Sequence, residues 1–149
     1  MEKWKEYDNG KIKFEGEYLN GTWNGKGKEY YDNGKLKFEG EYLYGDRLKG
    51  KDYYIGGKLE FEGEYLFSNK WNGKGYDEND NIIYELKNGN GNVKEYDYDG
   101  ELTFEGEYLN GVRNGKGKEY YDGELIFEGE YINGKINGKG KEYNSNGKL

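Results

Sequence analysis

The chain has 149 residues and a net charge of −7, with neither cysteine nor histidine. Those absences exclude a disulfide framework, a thiolate metal site, a cysteine nucleophile and imidazole acid–base chemistry. The acidic balance argues against nucleic acid and anionic headgroups as partners, because both select a basic surface; it favours a basic protein or peptide.

Charged residues reach 36%, yet 27 side chains are aromatic, 18 of them tyrosine. Such a chain cannot fill a thick aliphatic core, but it can build a thin sheet with a tyrosine-rich face. Proline is absent, so no strand lacks a ladder donor. No apolar run approaches the length of a bilayer span, and the opening Met1-Glu2-Lys3-Trp4-Lys5 lacks a signal-peptide core. The expected location is the cytoplasm.

In chain order, Trp4-Lys5-Glu6-Tyr7 reads as a return strand. Phe14-Glu15-Gly16-Glu17-Tyr18-Leu19 then alternates an aromatic face with an acidic one, the period of a strand. Gly16 between two rings predicts that a ring from a neighbouring strand lies over it. Asn20 to Gly25 is turn chemistry, Lys26 to Tyr31 a second return strand, and Asp32-Asn33-Gly34 a tight turn into the next unit. The phrase Phe-Glu-Gly-Glu-Tyr recurs from Phe38, Phe61, Phe104 and Phe127, and Tyr84-Glu85-Leu86-Lys87 is a decayed copy. A fixed period of this size marks a repeat architecture.

Small edits punctuate the grammar. The connector Gly45 to Gly50 is one residue short, and the one after Tyr65, through Phe67-Ser68-Asn69-Lys70, reads as one residue long. Disturbance of the array is expected near residues 76–92. Short sequential connectors predict an all-β, elongated, twisted, single-layer antiparallel meander of six tandem hairpins, with units starting near residues 14, 38, 61, 84, 104 and 127. It fills residues 1–149 as one domain of about twelve strands, roughly 55–60 Å long. Glu and Lys on adjacent strands are expected to pair across the ladder. Both ends of the array would be open strands, Trp4 to Tyr7 and the stretch before Gly147-Lys148-Leu149, which predicts self-association.

These residues resemble the MORN (membrane occupation and recognition nexus) repeat, whose pattern is aromatic-x-Gly-x-aromatic-x-x-Gly-x-x-x-Gly-x-Gly. Phe14 to Gly27 fits position by position, as do Phe104 to Gly117 and Phe127 to Gly140. Tyrosine stands where many members carry tryptophan. The trailing Lys-Glu-Tyr-Tyr-Asp-Asn-Gly-Lys-Leu is similar to a divergent bacterial branch that includes antitoxins. The resemblance implies a curved sheet of hairpins, and scaffold or targeting roles rather than chemistry.

Several patterns that suggest chemistry have plainer readings. Paired carboxylates such as Glu15/Glu17 recur identically five times, whereas an active site is one place. Asp77-Glu78-Asn79-Asp80-Asn81 lacks the glycine and distant glutamate of a calcium loop. No Gly-Lys is followed by Ser or Thr as a phosphate loop requires. The expectation is a protein without enzymatic activity, cofactor or metal.

Binding information resides in what varies between units. The variable connector position carries Trp23, Leu48, Trp71, Arg113 and Ile136, while Tyr44 and Phe67 replace the usual turn asparagine. These residues either form an apolar strip for a partner protein or peptide, or staple neighbouring connectors together. The leading expectation is a non-catalytic interaction or scaffold module, docking its partner along an aromatic groove or the connector edge. The alternatives are an antitoxin or immunity protein, and a membrane or cytoskeleton targeting module.

Overall fold

The computed structural model describes residues 2–143, apart from the Lys139 side chain; Gly147-Lys148-Leu149 lies outside the described residues. It is an antiparallel meander. The strands are β1 (Glu2–Asp8), β2 (Lys11–Leu19), β3 (Thr22–Tyr30), β4 (Leu36–Leu43), β5 (Asp46–Tyr53), β6 (Leu59–Leu66), β7 (Asn69–Tyr76), β8 (Ile82–Leu86), β9 (Gly91–Tyr96), β10 (Leu102–Leu109), β11 (Val112–Tyr121), β12 (Glu124–Ile132) and β13 (Lys135–Glu142). Each pairs with its sequence neighbour, but β1–β8 form one sheet and β9–β13 another. β1 is the outer strand of its sheet and is exposed throughout.

The packing unit repeats. In β2 and β3, Gly16 lies opposite Gly27, and the Phe14 ring tip would stand only 2.9 Å and 2.7 Å from a Cβ at either position. The ring over Gly16 therefore comes from its own strand, lying across a cross-strand glycine pair. Only over Gly27 does it come from a neighbour, as do the Gly27 contacts with Tyr42. Phe14 meets Tyr18 edge-on at 5.9 Å and Tyr42 of the next hairpin at 5.4 Å. Phe38 does the same with Tyr42 and Tyr65. Thus a single layer buries its five repeat phenylalanines; each contributes on the order of 2–3 kcal/mol.

The break between sheets follows from the decayed unit. Leu86 stands where the other outward strands carry the paired glycine, and Val93 where the return strands carry theirs. Both side chains are buried. Two aliphatic side chains cannot approach as two glycines do, so β8 and β9 share only the Lys87–Asn90 bridge around the Asn88-Gly89 turn before parting. The expected single sheet is therefore divided, within the stretch where disturbance was anticipated. Contacts cross the division: the Ile55 amide donates to the Tyr98 carbonyl at 3.0 Å, and the Tyr54 and Tyr96 rings meet at 6.1 Å.

One connector differs from the sequence reading. Gly63 pairs with Gly73, not Gly75, so the connector after Tyr65 is short like that after Tyr42 rather than long. Gly75 instead faces Tyr84, whose ring occupies the space a Cβ would need.

Candidate interaction surface

Three surfaces are available. The first is the aromatic face. Nine residues after four of the five repeat phenylalanines comes a side chain that covers the ring: Trp23 stacks on Phe14 at 4.1 Å, and Arg47, Lys70 and Arg113 lie over Phe38, Phe61 and Phe104 at 4.1, 4.9 and 4.0 Å. The register agrees, placing Trp23, Arg47, Lys70, Arg113 and Ile136 opposite the repeat tyrosines. Leu48 and Trp71 are thus not equivalents of Trp23. They are the extra residues of one-residue bulges, and Arg47 and Lys70 hold the position that sequence spacing assigned to them. The constant nine-residue offset from phenylalanine was the signal available for finding this.

These cations sit in a charged network. Arg47 donates to Glu29 at 2.9 Å and Asp52 at 2.8 Å. The Tyr42 hydroxyl donates to Glu29 and that of Tyr65 to Asp52. Burial works against the Arg47 charge, yet Asp52 and Glu29 hold its pKa above the ordinary value. Lys70 pairs with Glu60 at 3.4 Å. Burial opposes its charge too, but Tyr84, Glu60 and Asp52 outweigh that effect and hold the pKa up. Arg113 repeats the Arg47 arrangement with Glu95 and Glu119. The aromatic face is therefore already covered by the chain's own side chains.

The second surface is the opposite face. Each strand carries like charges at alternate positions, and neighbouring strands carry the opposite sign. One row runs Lys5, Glu15, Lys28, Glu39, Lys51, Glu62, Lys74, Glu85 across the first sheet. Between this row and the next lies a groove of about 880 Å³, floored by the glycine pairs from Gly16 to Gly63. The carboxylates are engaged: Tyr30, Tyr53 and Tyr120 donate to Glu15, Glu39 and Glu105. Asp77 caps its own loop, accepting the amides of Asn79 and Asn81, and the Asn81 backbone bond is the largest influence lowering its pKa. It forms a turn, with Oδ1 accepting the backbone amides and Oδ2 the Asn81 side-chain amide.

The third surface is the connector edge. Trp23 and Trp71 are half-buried there and do hold connectors together. Their carbonyls accept the amides of Gly45 and Gly89, each at 2.8 Å, and the Trp71 ring reaches Gly89 and Gly111 across the sheet division. Arg113 does the same for Gly134. Tyr44, Leu48, Phe67 and Ile136 are exposed instead, alongside Leu19, Leu43 and Leu66. Tyr44 and Phe67 occupy left-handed backbone, φ 50° and 49°, where Asn20, Asn88, Asn110 and Asn133 sit in the equivalent turns.

A MORN repeat family model matches residues 104–124 and 127–148. A MORN repeat variant model matches residues 5–20, 23–44 and 89–110. No curated protein matches the chain. With well over half its residues in these matches, laid out as tandem hairpins with ring-covered glycine pairs, the chain belongs to the MORN repeat family.

Proposed function

We infer that this chain, like MORN repeats in general, is a non-catalytic interaction module. We propose that this chain docks a partner protein along the connector edge of its first sheet, with Tyr44 and Phe67 as the principal contacts. One observation carries the reading. An aromatic residue in left-handed backbone costs on the order of 1 kcal/mol, and a buried ring would offset it. Tyr44 and Phe67 are 78% and 82% exposed, so ring burial does not offset it here. Strain kept without a packing return points to a role outside the fold. Leu19, Leu43, Leu48 and Leu66 extend the apolar patch around the two rings, in the manner of an interface centre.

The test uses opposite signs. Replacing both rings as Tyr44→Asn and Phe67→Asn relieves the strain, so the double variant unfolds at a higher temperature while losing its partner. A photo-crosslinking residue at position 44 or 67 captures the same protein in the native cell. Untagged wild type competes for that crosslink, as does Glu62→Gln, whose exposed carboxylate contributes little. Competition by the double asparagine variant equal to that of wild type would sink the proposal.

A further inference from the structure

The chemistry of the partner can be narrowed, resting on the docking reading above. Along the connector edge the apolar side chains recur once per hairpin: Leu19, Leu43 and Leu66, with Tyr44 and Phe67 at the successive turns. Two strand spacings make that repeat about 9.6 Å. A ligand lying along the edge must present side chains at the same interval. An extended β-strand places same-face side chains about 6.7 Å apart and falls out of step at the second contact. An α-helix returns to the same face every seven residues, about 10.5 Å. A polyproline II helix returns every three residues, about 9.3 Å. The leucines alternate with the repeat tyrosines and so share a face with the glutamate and lysine rows that line the groove. The repeat of about 9.6 Å lies nearer the polyproline II return of about 9.3 Å than the helical return of about 10.5 Å.

Charge gives the sign. Glu17, Glu41, Asp46 and Glu64 stand beside the apolar strip, against Lys3, Lys26 and Lys49. Lys49 is already committed to Glu41 at 3.6 Å. The local excess is acidic, as is the whole chain at −7. Exposed rings with carboxylates beside them suit a stiff, unbonded helix that presents apolar and basic residues.

We propose that the occupant is a basic polyproline II segment of the partner, with an apolar residue, proline foremost, at every third position. The side chains of that residue class seat between the Tyr44 and Phe67 rings, and its arginines or lysines meet Asp46 and Glu64.

Fluorescence anisotropy on the full chain tests this with three labelled peptides of equal length and net charge. One has proline at every third position among arginines; the second carries the same residues in scrambled order; the third forms a helix with leucines seven apart. The expected result is binding of the first at least about tenfold tighter than the others, weakened by salt and abolished in the Tyr44→Asn, Phe67→Asn double variant. Tighter binding of the helical peptide, lost in the double variant, overturns this occupant while the docking edge stands. Failure of all three peptides also overturns it. Equal binding of the proline peptide to wild type and double variant overturns it as well. If crosslinking at positions 44 and 67 then captures nothing, the docking reading falls with it.

Discussion

The guanidinium carbon of Arg47 sits 4.1 Å from the centroid of the Phe38 ring, the separation at which Trp23 stacks on Phe14. A cation and an indole therefore solve one problem, covering a ring that a single-layer sheet would leave wet. They differ in what surrounds them, since Arg47 also answers two carboxylates.

Arg47→Leu should keep the ring covered but strand the half-buried Glu29 and the buried Asp52. Removing one partner of such a network costs about 3 kcal/mol. Trp23→Arg is the converse change, with Glu6 already within reach of the indole nitrogen at 3.3 Å. It should stay within about 1 kcal/mol of wild type. Urea unfolding of both variants checks the pair; equal losses would show that burial alone matters at this position.

Gly106→Val should destabilise by about 2–4 kcal/mol. A Cβ there would lie 2.5 Å from the Lys116 carbonyl oxygen and 2.8 Å from the Phe104 ring tip. Neither can yield without parting the strands. An unchanged melting temperature would refute the glycine-pair packing.

Trp71→Ala should act at a distance. Its ring touches Gly89 and Gly111, and Gly111 donates to the Gly89 carbonyl at 2.9 Å. Loss of the ring should cost about 3 kcal/mol and raise amide exchange in β9–β11 more than in β2–β5. Uniform exchange across both sheets would contradict a stapling role at the division.

Alkali should unfold the protein over a defined window. Tyr30, Tyr53 and Tyr120 are pushed up to about 12, first by burial and then by the hydrogen bonds they donate to Glu15, Glu39 and Glu105. Tyr31 is pushed up to about 12 chiefly by burial. A raised folded pKa means that the native state holds the proton more tightly. The stabilisation is full below the unfolded value near 10 and is lost as pH rises from about 10 to about 12. Melting curves at pH 8, 10 and 12, with tyrosinate absorbance followed in the folded and urea-unfolded chain, check this. Identical phenol titrations in the two states would remove the basis for it.

The hairpin grammar was legible because Phe-Glu-Gly-Glu-Tyr fixes both the strand period and the ring-over-glycine contact. Leu86 in a glycine position also marked where the array would be disturbed. What spacing could not supply was register. In the third unit two glycines, Gly73 and Gly75, compete to face Gly63, and aligning Gly73-Lys74-Gly75 with Gly25-Lys26-Gly27 selected the wrong one. That error shifted the apparent position of Trp71, and a similar one-residue deletion displaced Leu48, which hid Arg47 and Lys70. The exposure of Tyr44 and Phe67 was suggested by their replacing asparagine, but their left-handed backbone became a physical argument only with the dihedral angles in hand.

The contact between Tyr84 and Gly75 bears on how the chain finds its fold. A meander of near-identical hairpins is degenerate: a slip by one whole unit would restore most charge pairs and ring contacts, so a misaligned array would be almost isoenergetic with the correct one. Other return strands carry Glu6, Glu29, Asp52, Glu95 or Glu119 where β7 carries Gly75. The Tyr84 ring fits against that glycine, and Leu86 with Val93 refuses the glycine-pair geometry of the other units. The least regular hairpin is thus the phase mark from which the remaining strands are counted.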